Sequence, residues 1–300
     1  MKLESIAFAL GEKKIKVSDL FSDARLVKKT GIEHVYETNE ATSLLAKRAV
    51  KSLGNFDKSD LTACIMVTQT PDDFLPANAI PISSDIGLKE SVLAFDINQG
   101  CSGFVQALSL LDVLLNKHKK ILLITADRYR SKLDVHDRST NAVFSDGATA
   151  SIWSNKGERE LIFEQHLTDG SKRDWLYHSA ANNAVCNLHM SGAEVWVFTR
   201  TKVVPMLKEA LRTTMEQGYE IGSVYLHQAS AVVVDGIKAA IADIDNAKTP
   251  TNYFNYGNTV SSTIPILLSE NEMTQKSGTI DIFCGFGVGL SCSIVGLVKK

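Results

Sequence analysis

Residues 94–126 read AFDINQGCSGFVQALSLLDVLLNKHKKILLITA, and this stretch decides the fold. AFDINQG (94–100) is an apolar run of strand length, GFVQALSLLDVLLNKH (103–118) carries helical periodicity, and KKILLITA (119–126) is a second apolar strand. ACIMVTQ (63–69) supplies another strand upstream. The alternation predicts an α/β protein with buried strands.

The same grammar returns after about residue 156. SVYLHQA (223–229) reads as a strand, AVVVDGIKAAIADI (231–244) as a helix, NYGNTVSSTIPILLSE (255–270) as a turn entering a helix, and TIDIFCGFGVGLSCSIVGL (279–297) as a glycine-rich strand pair. Two halves of similar length and element order, 1–156 and 157–300, point to an internal duplication. Nothing rich in Pro, Gly or Ser separates them, so one compact unit is expected. The polar stretch TDGSKRDWLYHSAANNAVCN (168–187) reads as a long loop of the kind that lines sites.

Composition narrows the function. With 300 residues, 44% of them hydrophobic, the chain is long enough for a sizeable core. Its 32 basic and 34 acidic residues nearly cancel, which leaves no overall field to hold nucleic acid or a membrane surface. The start, MKLESIAFALGEKKIK, has too short an apolar run for a signal peptide, and no later run approaches a membrane span, so a cytoplasmic protein is expected. Cys64, Cys101, Cys186, Cys284 and Cys292 show no CxxC spacing and no histidines at metal-ligand intervals. Reduced thiols, most of them small core residues, are expected, with no metal and no bound cofactor.

Cys101 sits in DINQGCSGF, where a strand gives way to a helix. A thiol there faces the positive end of the helix dipole, which favours thiolate and a competent nucleophile, while Gly100 and Gly103 admit a substrate close to the backbone. His227 ends the strand in VYLHQAS, and Asn258 heads a helix in NYGNT. In CGFGVGLSCS, glycines 285, 287 and 289 alternate, a pattern that suits a tight turn presenting an N–H to an oxyanion and equally a plain hairpin.

Taken in order, GCSGF, FSDGATA, MSGAEVWVF, YLHQAS, NYGNT and GFGVGL resemble the signature blocks of the ketoacyl synthase III family, in the thiolase superfamily, from KKTGI (28–32) to the carboxyl terminus. The resemblance implies a five-layered αβαβα fold of two duplicated halves. It implies a decarboxylating Claisen condensation in which Cys101 is acylated from a primer thioester, acyl-CoA or acyl carrier protein (ACP), and then meets a malonyl-ACP extender. His227 and Asn258 would stabilise the enolate, since a carboxylate at either place would repel it. The backbone N–H groups of Cys101 and Val288 would form the oxyanion hole. Phe286 would wall the malonyl carboxylate, with Leu75, Met190 and Gly289 completing the substrate pocket, Leu75 by reaching across a homodimer.

Departures from the family pattern accompany these matches. Arg25 stands where a tryptophan is common for stacking on the adenine of coenzyme A; Lys29 and Arg138 are the other candidates for that ligand. Val232 and Val197 replace basic positions that meet acyl carrier protein, which leaves Arg200, three residues along the same helical face, with Lys202 and Lys238, to dock it. A thiolase-fold acyltransferase that passes the acyl group from Cys101 to a hydroxyl or amine is the alternative, and a scaffold subunit is a third reading that an intact Cys, His and Asn set disfavours.

Overall fold

A computed structural model of the chain describes residues 1–21, 23–179, 187–244 and 247–300. Residues 180–186 of the expected loop, Cys186 among them, lie outside the described residues.

Two sheets carry the fold. The first comprises β1 (Lys2–Leu10), β2 (Leu61–Val67), β3 (Leu93–Ile97), β4 (Lys120–Asp127) and β5 (Gly147–Ser154), in the order β1-β5-β4-β2-β3. The second comprises β6 (Arg159–Thr168), β7 (Glu220–Leu226), β8 (Thr279–Gly287) and β9 (Ser291–Lys299), in the order β6-β9-β8-β7. Their pairings correspond. Antiparallel β1–β5 and β5–β4 with parallel β4–β2 in one sheet match antiparallel β6–β9 and β9–β8 with parallel β8–β7 in the other. A parallel bridge between Ser223 of β7 and Lys248 takes the place that β3 holds in the first sheet.

Helices fill the space around and between the sheets. Both α4 (Gly103–Leu114) and α8 (Thr263–Glu270) touch strands of the two sheets, so they form the central layer. Helices α2 (Thr42–Ser52) and α3 (Ala79–Asp85) cover the first sheet, and α6 (Val204–Glu216) packs on β7 and on α7 (Ala231–Ile241) outside the second. The result is the five-layered αβαβα arrangement of the thiolase-like fold. Position in the stack explains sequence pattern. The outer α2 buries Leu45, Ala46, Ala49 and Val50 and turns Lys47 and Lys51 outward, whereas α4 buries Phe104, Val105, Ala107, Leu108 and Leu111 between two sheets. Strand β4, KILLITAD, is covered on both faces and is continuously apolar from Ile121 to Ile124 instead of alternating. The core does not divide at the sheet boundary: Phe104 and Leu108 share one apolar cluster with Ile264 and Phe283.

Several local expectations are corrected. The helix read over 103–118 ends at Leu114, and the one read over 231–244 ends at Ile241. The chain after Asn258 first makes a 3-10 turn, Val260–Ser262, before α8 begins. Gly285 and Gly287 do not turn the chain; they lie within β8, and only Gly289, at φ 136°, sits in the β8–β9 turn.

Candidate active site

The duplication places two side chains alike. Cys101 enters α4 and Asn258 enters the turn leading to α8, so each stands at the start of a central helix. His227 follows β7 directly, at the carboxyl end of a parallel strand, where open α/β sheets place their ligands.

Cys101 is 7% exposed. Two glycines of β8 let the second sheet approach it: a Cβ built on Gly285 would stand 2.9 Å from the Cys101 carbonyl oxygen, and one on Gly287 would stand 2.9 Å from Cys101 Cβ and 3.1 Å from Sγ. Their alternate spacing puts both on the face of β8 that meets the nucleophile's backbone. The electrostatic expectation is corrected here. Burial, with the carboxylate of Asp127 second, pushes the Cys101 thiol pKa up, and the backbone N–H of Cys101 offsets this only in part. Burial thus favours the neutral thiol over the thiolate.

His227 is 2% exposed. Its backbone N–H donates to the Cys284 carbonyl at 2.9 Å, its Nδ1 lies 2.7 Å from the Thr263 hydroxyl, and its ring meets Phe286 edge-on at 5.4 Å. Burial lowers its pKa to about 3, so the imidazole is neutral. Asn258 is held by its backbone, donating to Val143 O at 2.8 Å and accepting from Ser145 N at 3.0 Å. Its Oδ1 accepts from Val260 N at 2.9 Å, a side-chain-closed turn that lies ahead of α8 and does not cap it. That bond fixes the carboxamide and leaves Nδ2 without a hydrogen-bond partner among the described residues.

Two cavities meet at the thiol. The larger, about 480 Å³, is lined by Cys101, His227, Asn258, Phe286 and Met190, and runs to Lys29 and Val232 at the surface. The smaller, about 280 Å³, is lined by Cys101 with Val288, Gly289, Gln69, Tyr129 and His178. Cys101, Phe144 and Leu176 belong to both walls.

The mouth of the larger cavity is built where α1 (Ala24–Thr30) crosses α7. Asp23 caps α1 by accepting from Arg25 N, and Gly31 ends it at φ 65°, so close to α7 that a Cβ there would stand 2.5 Å from Ala231 Cβ. Arg25, Lys28 and Lys29 border a shallow depression there with Val232 and Asp235.

The remaining candidates fall outside the cavities. Leu75 is 86% exposed beside an equally bare Phe74 and lines neither cavity of its own chain. Arg138 lies over the Phe21 ring at 5.8 Å, and it is its neighbour Ser139 that reaches the larger cavity. Arg200 stacks over Trp196 at 5.6 Å and donates to Gly236 O at 3.1 Å. The chain from Thr199 to Val203 is a π-helical turn following α5 (Gly192–Phe198), so simple i, i+3 spacing does not put Arg200 on the face of Val197. Lys202 is exposed and Lys238 half-buried.

Sequence reasoning missed Thr263, Gln69, Tyr129, His178 and Asp127. Asp127 is wholly buried, and its carboxylate accepts from Gln69 N at 2.8 Å and from the Ser261 hydroxyl, tying the segments beside Cys101 and Asn258 together. Burial raises its pKa to about 7. Gln69 and Asp127 stand at or just past the carboxyl ends of β2 and β4, and that placement was the signal available.

The layered frame, with Cys101, His227 and Asn258 on one cavity, is that of the thiolase-type condensing enzymes. Residues 95–170 match the family described as 3-Oxoacyl-[acyl-carrier-protein (ACP)] synthase III, and residues 212–298 match its C-terminal part. The β-ketoacyl-[acyl-carrier-protein] synthase III of Streptococcus agalactiae is 31% identical over 97% of this chain and 96% of its own. That of Campylobacter concisus is 31% identical over 90% and 86%. The crystal structure of 3-oxoacyl-[acyl-carrier-protein] synthase III from Aquifex aeolicus superposes with a TM-score of 0.86 at 27% identity, covering 99% of both chains. The chain belongs to the 3-oxoacyl-[acyl-carrier-protein] synthase III family, and is a condensing enzyme of the acyltransferase class.

Proposed function

We propose that the chain catalyses decarboxylating condensation of an acyl primer with a malonyl thioester through an acyl-Cys101 intermediate. The observation that carries this reading is the larger cavity, whose wall Cys101 shares with His227 and Asn258.

Sγ attacks the primer carbonyl carbon, the carrier thiolate leaves, and the thiol proton goes with it. The backbone N–H groups of Cys101 and Val288 receive the oxyanion. A malonyl thioester then enters. Its bond to the carboxylate breaks, carbon dioxide departs, and the electron pair becomes an enolate whose oxygen takes hydrogen bonds from His227 Nε2 and Asn258 Nδ2. The enolate carbon attacks the acyl carbon, the bond to Sγ breaks, and the Cys101 thiolate takes up a proton from solvent. Phe286 favours this course, because an apolar wall disfavours a carboxylate and not carbon dioxide.

Lys29, with Arg25 and Arg138 further out, would meet the phosphates of coenzyme A or of a carrier's prosthetic arm. Arg200, Lys202 and Lys238 would dock acyl carrier protein from the α5–α7 side. The bare Phe74 and Leu75 support a homodimer in which this tip closes the partner's acyl site.

Malonyl thioester labelled in its free carboxyl, given with an acyl primer, tests the reading. Labelled carbon dioxide and a 3-oxoacyl product are expected from the native chain. Cys101→Ala should abolish condensation, and His227→Ala with Asn258→Ala should keep acylation and lose product. Full condensation by that double variant, or acyl transfer without carbon dioxide, would refute these roles.

A further inference from the structure

The smaller cavity has polar walls for which the proposed chemistry at the thiol has no use. Gly100 and Gln69 are matched: a Cβ on residue 100 would stand 2.2 Å from Gln69 Oε1, so the missing side chain is the space the glutamine amide occupies beside the nucleophile. Gln69 Oε1 accepts from the Tyr129 hydroxyl at 3.3 Å, which fixes the amide and leaves its Nε2 as an uncommitted donor among the described residues. Tyr129 in turn meets His178 edge-on at 6.5 Å, and His178 Nε2 is buried without a hydrogen-bond partner among the described residues. Arg173 lies at the rim of the same cavity, 3.7 Å from the carboxylate of its neighbour Asp174.

An alkyl chain in this space would strand Gln69 Nε2 and His178 Nε2 away from water. Buried polar groups are costly to leave unpaired, and a site with such groups discriminates strongly for a ligand that pairs them. At about 280 Å³ this space is the smaller of the two cavities at Cys101, against about 480 Å³, and so suits the shorter of two occupants.

We propose that the primer's acyl group occupies the smaller cavity and carries an oxygen function, a carboxylate or a hydroxyl, beyond its thioester carbonyl, which Gln69 and His178 orient. The proposal rests on the reading that Cys101 takes up the acyl group. It adds a substrate class, since nothing at the thiol itself distinguishes an alkyl from an oxygenated primer.

The rate at which intact-mass measurement detects acylated Cys101 tests it, with butyryl-CoA, 3-hydroxybutyryl-CoA and succinyl-CoA offered separately. At least one oxygenated thioester is expected to acylate the native chain about tenfold faster than butyryl-CoA or more; succinyl leading names a carboxylate, and 3-hydroxybutyryl a hydroxyl. In Gln69→Leu the ratio of oxygenated to butyryl rate should fall by about fivefold or more, and His178→Leu should shift it the same way. Butyryl-CoA matching both oxygenated thioesters in the native chain would overturn the proposal while leaving acylation of Cys101 intact. A ratio unchanged in both variants would do the same. No acylation by any of the three would overturn the function reading together with it.

Discussion

His227 Nδ1 lies 2.7 Å from the Thr263 hydroxyl, and that hydroxyl has a second candidate acceptor in the Val260 carbonyl at 3.2 Å. Threonine has one proton to give. Given to Val260, it makes the imidazole donate from Nδ1 and leaves Nε2 a bare acceptor; given to Nδ1, it puts the imidazole proton on Nε2. Only the second arrangement presents a donor to an enolate oxygen, and it uses the shorter contact. On the proposed mechanism Thr263 is a positioning residue: by donating to Nδ1 it holds the imidazole proton of His227 on Nε2.

Thr263→Val keeps the shape and removes the hydroxyl. Condensation should fall by at least about tenfold, short of the ~10²–10³ lost when a donor is deleted outright, while acylation of Cys101 persists. Thr263→Ser should restore most of the loss. Carbon dioxide release, read beside the acyl-enzyme mass, checks both.

The neutrality of His227 has a pH signature. Its folded pKa, about 3, is below the ordinary histidine value of 6.5, so between those values the unfolded chain binds the proton and the folded chain does not. This group therefore costs stability as pH falls from 6.5 towards 3 and contributes no change above 6.5. Buried Asp127, with its pKa raised to about 7, has the opposite sign: it costs stability as pH rises from 3.8 to 7. NMR titration of histidine-labelled protein should show one imidazole without an inflection near 6.5, missing in His227→Gln. Condensation that rises on acidification through pH 6.5 would instead make imidazolium the donor.

How far the sequence reached follows the range of each interaction. Alternation of period and run length is local, so the α/β class and the strands that carry Cys101 and His227 could be read directly; the order of the layers came with the family resemblance. What could not be read depends on contacts between distant segments. Gly285 and Gly287 look like a turn until β8 is seen pressed against Cys101, and Gln69 looks like a strand end until Gly100 is seen to make room for it. The helix-start argument at Cys101 was sound for a solvent-exposed thiol. In the folded chain the thiol is buried between two sheets, a property of the assembled stack, and that burial raises its pKa.

Gly287→Ala tests the close approach of β8. The new Cβ would stand 2.9 Å from Cys101 Cβ, and neither atom is the tip of a flexible side chain. Overpacking of this kind costs about 1–3 kcal/mol. A lower thermal midpoint with acylation slowed about tenfold or more is expected, whereas Gly170→Ala, with open space around its Cβ, should be near neutral in both. An unaltered acylation rate in Gly287→Ala would show that the strand yields without moving the sulfur.

Lys29 separates entry from chemistry. It lies in the last turn of α1, where the carbonyl end of the helix favours a cation, and it borders both the larger cavity and the surface depression that Arg25 and Lys28 share. A charge there acts on the anionic arm of an incoming thioester and not on bond breaking at Cys101. Lys29→Glu should therefore raise KM for coenzyme A or carrier thioesters by about threefold to tenfold at low ionic strength, with kcat held, and the difference should shrink as salt screens it. Steady-state kinetics at two salt concentrations decides the matter: a fall in kcat that salt does not relieve would place Lys29 inside the reacting site, and an unchanged KM would remove it from the entry path.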